Sequence, residues 1–277
     1  MLLDYIKPGV KYKLNIYKNQ GIILLNMDYL EKKNGHKRDK QILFTERGHI
    51  YTIDGDSKYT SVTTWNHTHF PDFNSEKIIN NMMKSNNWKT SKYFGMTKRE
   101  IKDLWKKNGR EAAEAGTKMH LDIECFYNNM EVEVDVECVE WKYFEEFENE
   151  IGNKLEPYRT EWMIWDKEKR LAGSIDMVYE NTDGSLQIYD WKRCKEIKKT
   201  NPWDNAITEC ISHLPDSNFW HYSLQLNTYK WMIEKNYNKR VTDMYLICLH
   251  PNNKNKSYLM YKVPDMQDYI NKLMMLR

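Results

Sequence analysis

The sequence predicts a mixed α/β fold whose core, from residue 98 onward, runs α, β, β, β, α, β. Three observations carry this. Residues 96–129 read as a long helical stretch. Three apolar or alternating segments follow at 158–166, 171–180 and 185–192, the last two joined by the turn signal Thr182-Asp183-Gly184. A helical stretch at 219–236 then leads into the apolar segment 243–250. The core is expected to span 97–277, with a β-rich and helical extension, 1–96, packed on it.

In chain order, "GIILLNM" (21–27) reads as a buried strand and "EKKNGHKRDK" (31–40) as a polar turn holding Asn34-Gly35. "QILFTERGHIYTID" reads as two short strands around Arg47-Gly48. "SEKIINNMMK" places apolar residues at 78, 79, 82 and 83, so a helix begins near Ser75. Thr97 and Glu100 fit a capping box for the long helical stretch, which Asn108-Gly109 is expected to break in two. Another helix is expected over 135–150, capped by Asp135, with Val136, Val139, Phe144 and Phe147 on its apolar side. The three core segments form an antiparallel meander. A loop-rich region, 194–218, holds Pro202 and Pro215; strands are expected at 243–250 and 256–263, and Pro264 opens a last helix through Leu276.

Composition narrows the function classes. The 277 residues are 40% apolar, with ten Trp and nineteen Tyr, enough for one sizeable core. No apolar run is long enough to span a bilayer. The N-terminal "MLLDYIKPGVKYKLNIYKNQ" lacks the apolar centre of a secretory signal, and with Asp4 and no Arg it does not read as a mitochondrial presequence. An intracellular, soluble protein with no membrane partner is expected. Net charge is +2, from 42 basic and 40 acidic residues, unlike a histone-like binder but compatible with basic patches beside an acidic site. The five cysteines form no C-x-x-C pair, so reduced thiols are expected, and a zinc or iron–sulfur site would require distant cysteines to converge.

The chemistry concentrates where two core strands end. Asp190 and Lys192 sit two apart in "LQIYDWK", so they share a strand face while Trp191 points the other way. Other acid-x-Lys triplets, such as Glu100–Lys102 and Glu140–Lys142, lie in polar contexts and read as solvated surface. The turn at 182–184 can set Asp176, in "GSIDMVY", near Asp190. Two carboxylates on adjacent buried strands repel unless a cation lies between them, and oxygen ligation suits Mg2+ or Mn2+. A lysine beside that cation can steady developing negative charge. The alternative is a surface ion pair at a hairpin end.

"GTKMHLDIE" puts Gly116, His120 and Glu124 four apart on one helical face, where the glycine would let another backbone come close. His120 reads as a nitrogen ligand, favouring Mn2+, or as a satisfied structural histidine. Glu161, mid-strand in "RTEWMIW", is a third acid that can face the cluster. Gln225 and Tyr229, four apart on a later helix, brace the site or reflect ordinary amphipathicity.

That order of residues resembles the RecB-like branch of the PD-(D/E)XK nuclease superfamily. It is most similar to the mitochondrial genome maintenance exonuclease group and to predicted nucleases of phages and large DNA viruses. The matching segments are "GTKMHLDIE", "TEWMIW", "AGSIDMVY", "IYDWKR" and "QLNTY", with "HIYTIDGDSKYTSVTTWNH" upstream, covering residues 49–262. The resemblance implies a restriction-endonuclease-like core. It implies one or two Mg2+ or Mn2+ ions held by His120, Asp176, Asp190 and the Trp191 carbonyl. Lys192 would serve the hydrolytic water, Glu161 a second metal or water, and Gln225, Tyr229 and Glu124 would support the site. Two departures stand out. The C-terminal cysteine cluster of iron–sulfur relatives is missing, so no such cluster is expected, and Asp190 stands where Glu is frequent.

For the substrate, Arg193, Lys195, Lys198 and Lys199 leave the Asp190–Lys192 strand directly, and Trp203 follows. Cationic and stacking groups in alternation suit single-stranded nucleic acid, whereas the plain alternative is an exposed lysine-rich loop. The likeness places Ser61, Thr63 and Thr64 near phosphate. The expectation is a metal-dependent deoxyribonuclease, an exonuclease on single-stranded ends by resemblance. Its rivals are a metal-dependent endonuclease on RNA or DNA, a non-catalytic nucleic-acid-binding module, and a protein whose acids hold a stabilising ion.

Overall fold

The computed structural model describes residues 27–132, 134, 135 and 137–277. The strand expected at 21–27 therefore lies outside the described residues, apart from Met27. A helical turn, α1 (Tyr29–Lys33), begins before the stretch expected to be a turn and takes up its first three residues, and leads to the hairpin β1 (Ile42–Thr45) and β2 (Ile50–Ile53). Next come β3 (Thr60–Ser61), α2 (Val62–His67) and α3 (Ser75–Lys84).

α4 (Lys98–Tyr127) carries the expected capping box but runs unbroken through Asn108-Gly109. A helical glycine costs roughly 1 kcal/mol relative to alanine. Pairs at i,i+4 on both sides, Lys107–Glu111 and Arg110–Glu114, together with Ala112, Ala113 and Ala115, keep the exposed middle helical. α5 (Val139–Glu150) begins after Cys138 rather than at Asp135, because the Asp135 carboxylate accepts from the Glu137 N–H and turns the chain first.

β4 (Glu156–Asp166), β5 (Leu171–Glu180) and β6 (Leu186–Lys192) form the expected antiparallel meander. α6 (Asn218–Asn236) crosses over to β7 (Val241–Cys248), which pairs parallel with β6; β8 (Leu259–Lys262) closes that edge antiparallel. α7 (Gln267–Leu276) starts three residues after Pro264, later than expected. Among the described residues no helix is long and apolar enough to cross a membrane.

The sheet lies between two apolar cores. One includes Trp162, Ile164, Ile175, Ile188 and Leu246 under α2, α6 and α7; the other includes Met177, Tyr189 and Trp191 under α4 and α5. The two cores expose an irregularity. Ile175 and Met177 are two apart on β5, yet they enter opposite cores, so alternation breaks at Asp176. Level with it on β4, Glu161 takes φ 41°, a left-handed conformation rare for a residue with a side chain. The other edge of β5 is shared: β3 pairs it at Leu171 and Ala172, and β6 at Met177–Glu180. Residues 173–176 lie between those ladders, and the Asp176 carboxylate sits in that opening.

Candidate active site

Four elements bring polar side chains to this opening. α4 supplies His120 and Glu124, β4 supplies Glu161, β5 supplies Asp176, and β6 supplies Asp190 and Lys192. The His120 Nδ1 lies 3.7 Å from a Glu161 Oε1 and 3.6 Å from an Asp176 Oδ2. One donor atom from each of His120, Glu161 and Asp176 falls within 4.8 Å of the others.

Each donor is held from behind. His120 Nε2 donates to the Trp191 carbonyl at 3.0 Å; a carbonyl only accepts, so the other ring nitrogen faces the acids. The Trp191 N–H donates to Asp176 Oδ2 at 2.9 Å, and Ser174 Oγ donates to Glu161 Oε2 at 2.8 Å. The backbone N–H and C=O of the one residue Trp191 thus orient two of the three groups, while its indole packs against Phe144 and Phe147 of α5.

Asp190 and Lys192 share the opposite face as the period-two reading required, and they form an ion pair with side chains only 3% and 15% exposed. The Lys192 ammonium also sits 4.7 Å from the Tyr222 ring centroid. Asp190 lies one residue beyond the last ladder pair, Met177↔Tyr189, as Asp176 does, so the two strands splay between the carboxylates.

The electrostatics favour a cation. Burial opposes the charged imidazolium of His120, but Asp176 and Glu161 outweigh it and hold its pKa up to about 9. Burial, then the Glu161 charge, pushes Glu124 up to about 8 against the pull of His120. Burial and the Asp176 charge raise Asp190, with Lys192 opposing them. Four carboxylates around one histidine and one lysine leave the pocket short of positive charge. An imidazole nitrogen with carboxylate oxygens is a donor set that fits Mg2+ or Mn2+, the nitrogen favouring Mn2+. His120, Glu161 and Asp176 are the residues that would hold it. Asp190, expected among the ligands, stands outside this three-residue group and against Lys192, and the Trp191 carbonyl faces His120.

The other expected residues divide. Tyr229 is buried beneath β5 with its hydroxyl accepting from Gln225 at 3.1 Å, so the tyrosine braces the strand while Gln225 is half-buried. Gly116 has open space where its side chain would be, so it allows no close backbone approach, contrary to expectation. Ser61 caps α2, accepting from the Thr64 N–H and donating to the Thr64 hydroxyl, while Thr63 is exposed. Arg193 donates to Glu140 at 2.6 Å and lies against α5; Lys195, Lys198 and Lys199 are exposed, and Trp203 is 86% exposed.

A family model described as the PD-(D/E)XK nuclease superfamily matches residues 90–274. The chain belongs to that superfamily. Membership makes it a phosphodiester-hydrolysing enzyme whose substrate is nucleic acid, in a superfamily that generally uses divalent metals such as Mg2+. A solved structure from Eubacterium rectale, described as a "Putative exonuclease", matches 79% of this chain and 78% of its own at 8% identity and a TM-score of 0.37. No curated protein matches the sequence.

Three residues that the structure brings to this candidate site escaped sequence reasoning. Tyr222 lies three before Gln225, a helical spacing that could have revealed it. Ser174 lies two before Asp176, but the break in alternation hid its role. Tyr51, on the β1–β2 hairpin, has its pKa pushed up to about 12 by burial and then by the Glu161 charge; no spacing signal announced it.

Proposed function

We propose that this protein is a divalent-metal-dependent deoxyribonuclease that degrades single-stranded DNA from its ends. The observation that carries the metal-dependent reading is the convergence of His120, Glu161 and Asp176, each oriented by its own hydrogen bond, beside the buried Asp190–Lys192 pair. A bound divalent ion supplies Lewis-acid stabilisation of the phosphate and lowers the pKa of water. The protein's groups do the rest. Lys192 stays charged, because Asp190 and Asp176 outweigh the effect of its burial, and it presents N–H donors to a non-bridging phosphate oxygen. Asp190 and the Tyr222 face fix that ammonium. Trp191 fixes His120 and Asp176, and Ser174 fixes Glu161.

The preference for DNA ends rests on the likeness to RecB-like exonucleases, supported by the exposed lysines and Trp203 after β6. The test is digestion of linear single strands labelled at one terminus or the other, beside circular single strands and RNA, with Mn2+ or Mg2+ and with Lys192→Ala as control. Release of labelled mononucleotides or short products from linear DNA, with circles left intact, is expected. Free cutting of circles removes the exonuclease reading, and free cutting of RNA removes the preference for DNA.

A further inference from the structure

Where β6 and β7 end side by side, two thiols meet. Cys248 is the last residue of β7 and pairs in register with Lys192. Cys194 lies two residues past Lys192, beyond the last ladder pair, and its Sγ is 4.0 Å from the Cys248 Sγ. The two differ in freedom. Cys248 is fully buried; its Sγ donates to the Cys194 carbonyl at 3.1 Å, and its carbonyl accepts from Asn253 Nδ2 at 2.9 Å. Cys194 is partly exposed and belongs to no strand or helix.

Both cysteines pack with the apolar core under α6, the side on which the Lys192 ammonium lies 4.7 Å from the Tyr222 ring centroid. The Lys192 charge acts on the Cys194 sulfur, and a nearby ammonium favours the thiolate, the form of cysteine that reacts. A disulfide joins sulfurs about 2.05 Å apart, so closing this gap takes roughly 2 Å of movement. β7 is held between β6 and β8, whereas residue 194 has no ladder partner, so the movement falls on the segment after β6. Only Arg193 separates Lys192 from the residue that must move.

We propose that Cys194 and Cys248 are a modification site at which hydrogen peroxide closes a disulfide, and that the bond displaces Lys192 and reversibly slows cleavage. The partly exposed sulfur meets the oxidant and the buried one resolves it. The Cys194 thiolate attacks one peroxide oxygen; the O–O bond breaks, Cys194 becomes a sulfenic acid, and the departing hydroxide takes up the proton that Cys194 released. The Cys248 sulfur then attacks the Cys194 sulfur; the S–O bond breaks, and the oxygen leaves as water with the Cys248 proton. The two thiols lose two electrons, and one peroxide becomes two waters. A dithiol reductant reverses the bond by exchange.

The effect on cleavage rests on the nuclease reading above, so the two must fail separately. The protein is treated with hydrogen peroxide, the excess is removed, free thiols are alkylated, and tryptic peptides are mapped by mass spectrometry. A link between Cys194 and Cys248 is expected, and its absence overturns the proposal. Linear single-stranded DNA is then digested with Mn2+ by the oxidised and the reduced protein. Oxidation should slow cleavage about tenfold or more, since a misplacement of about 1 Å can cost about 10²-fold, and dithiothreitol should restore the rate. Cys194→Ser and Cys248→Ala should each keep the reduced rate and resist peroxide. A linked protein that cuts at the reduced rate overturns the proposal, as does equal inactivation of the two variants by peroxide. Thermal melting checks that both variants fold, and the wild-type protein with its reversal decides even if they do not. If the reduced protein cuts nothing, the nuclease reading fails. The peptide map then still decides the bond, and anisotropy of labelled single strands replaces the rate: weaker binding by the oxidised protein is expected, and equal binding overturns the displacement of Lys192.

Discussion

Gly173→Ala is the substitution for which the structure gives the most explicit consequence. Gly173 lies within β5 with no left-handed φ to demand a glycine, so what it supplies is space. A Cβ built there would meet the Tyr229 ring at 2.6 Å from Cε1, 3.2 Å from Cζ and 3.0 Å from the hydroxyl. Tyr229 is 2% exposed and tied to Gln225, so the ring cannot swing into solvent. Either β5 or α6 must yield, and overpacking of this kind costs roughly 1–3 kcal/mol. Tyr229→Phe leaves both ring contacts and should rescue little. Tyr229→Leu removes the ring; alone it opens a cavity and costs about 2–4 kcal/mol, but with Gly173→Ala the added methyl occupies part of the space. The double variant should therefore be more stable than the sum of the two by about 1 kcal/mol, read from urea unfolding with unchanged m-values. Gly173 also lies three residues before Asp176, so a shifted strand misplaces a candidate ligand and should lower the cleavage rate by up to about 10²-fold. Wild-type stability in Gly173→Ala, within about 0.5 kcal/mol, together with an additive cycle, would refute the claim that this glycine makes room for the brace.

Three further outcomes follow from the site. His120 has a folded pKa above its ordinary 6.5, so its contribution to metal-free stability is complete below 6.5 and is lost as pH rises through about 9. Across that window Mn2+ binding should strengthen by up to about tenfold per pH unit, since a proton must leave the imidazole; calorimetry should show proton release, and His120→Ala should lose the slope. Lys192→Met strands the buried Asp190 carboxylate and should cost roughly 3–5 kcal/mol, whereas the pair replacement Asp190→Leu with Lys192→Met should recover much of that in thermal melting. Because Arg193 is engaged by Glu140, Arg193→Ala should leave the salt dependence of single-strand binding nearly unchanged; Lys195→Ala, if its ammonium meets a phosphate, should lower the log–log slope by about 0.7.

How far the fold was legible depends on the range of the forces involved. The meander was readable because Thr182-Asp183-Gly184 joins two short apolar runs, and the Asp190–Lys192 pairing because side chains two apart on β6 share a face. The capping box was readable for the same local reason. Asn108-Gly109 misled because a turn dipeptide was weighed without the ion pairs and alanines that hold α4 together. Asp135 misled because the same carboxylate can close a turn or cap a helix, and the chain uses it for the turn. The placing of Arg193 depended on Glu140 of α5, a partner 53 residues away that no spacing identifies.

The candidate site itself was legible in its residue types but not in its geometry, and one cause explains both. Regular alternation would send Asp176 to a face shared with Ser174 and Val178, and Glu161 to a face set by its own neighbours. The structure instead breaks alternation at Asp176 and places Glu161 at φ 41°, on two strands at one level. A non-glycine residue there costs of order 1–3 kcal/mol, and such strain persists only where surrounding contacts enforce it. Ser174 and the Trp191 peptide supply those contacts, and the opening between the β3 and β6 ladders gives the backbone room to deviate. Such a local departure from regular pleating re-aims a side chain that strict alternation would point elsewhere. Removing the enforcing contact should therefore loosen the ligand without unfolding the sheet. Ser174→Ala should weaken Mn2+ binding several-fold while changing stability by about 1 kcal/mol or less, and a metal affinity equal to wild type would mean that Glu161 is held in place by the strand alone.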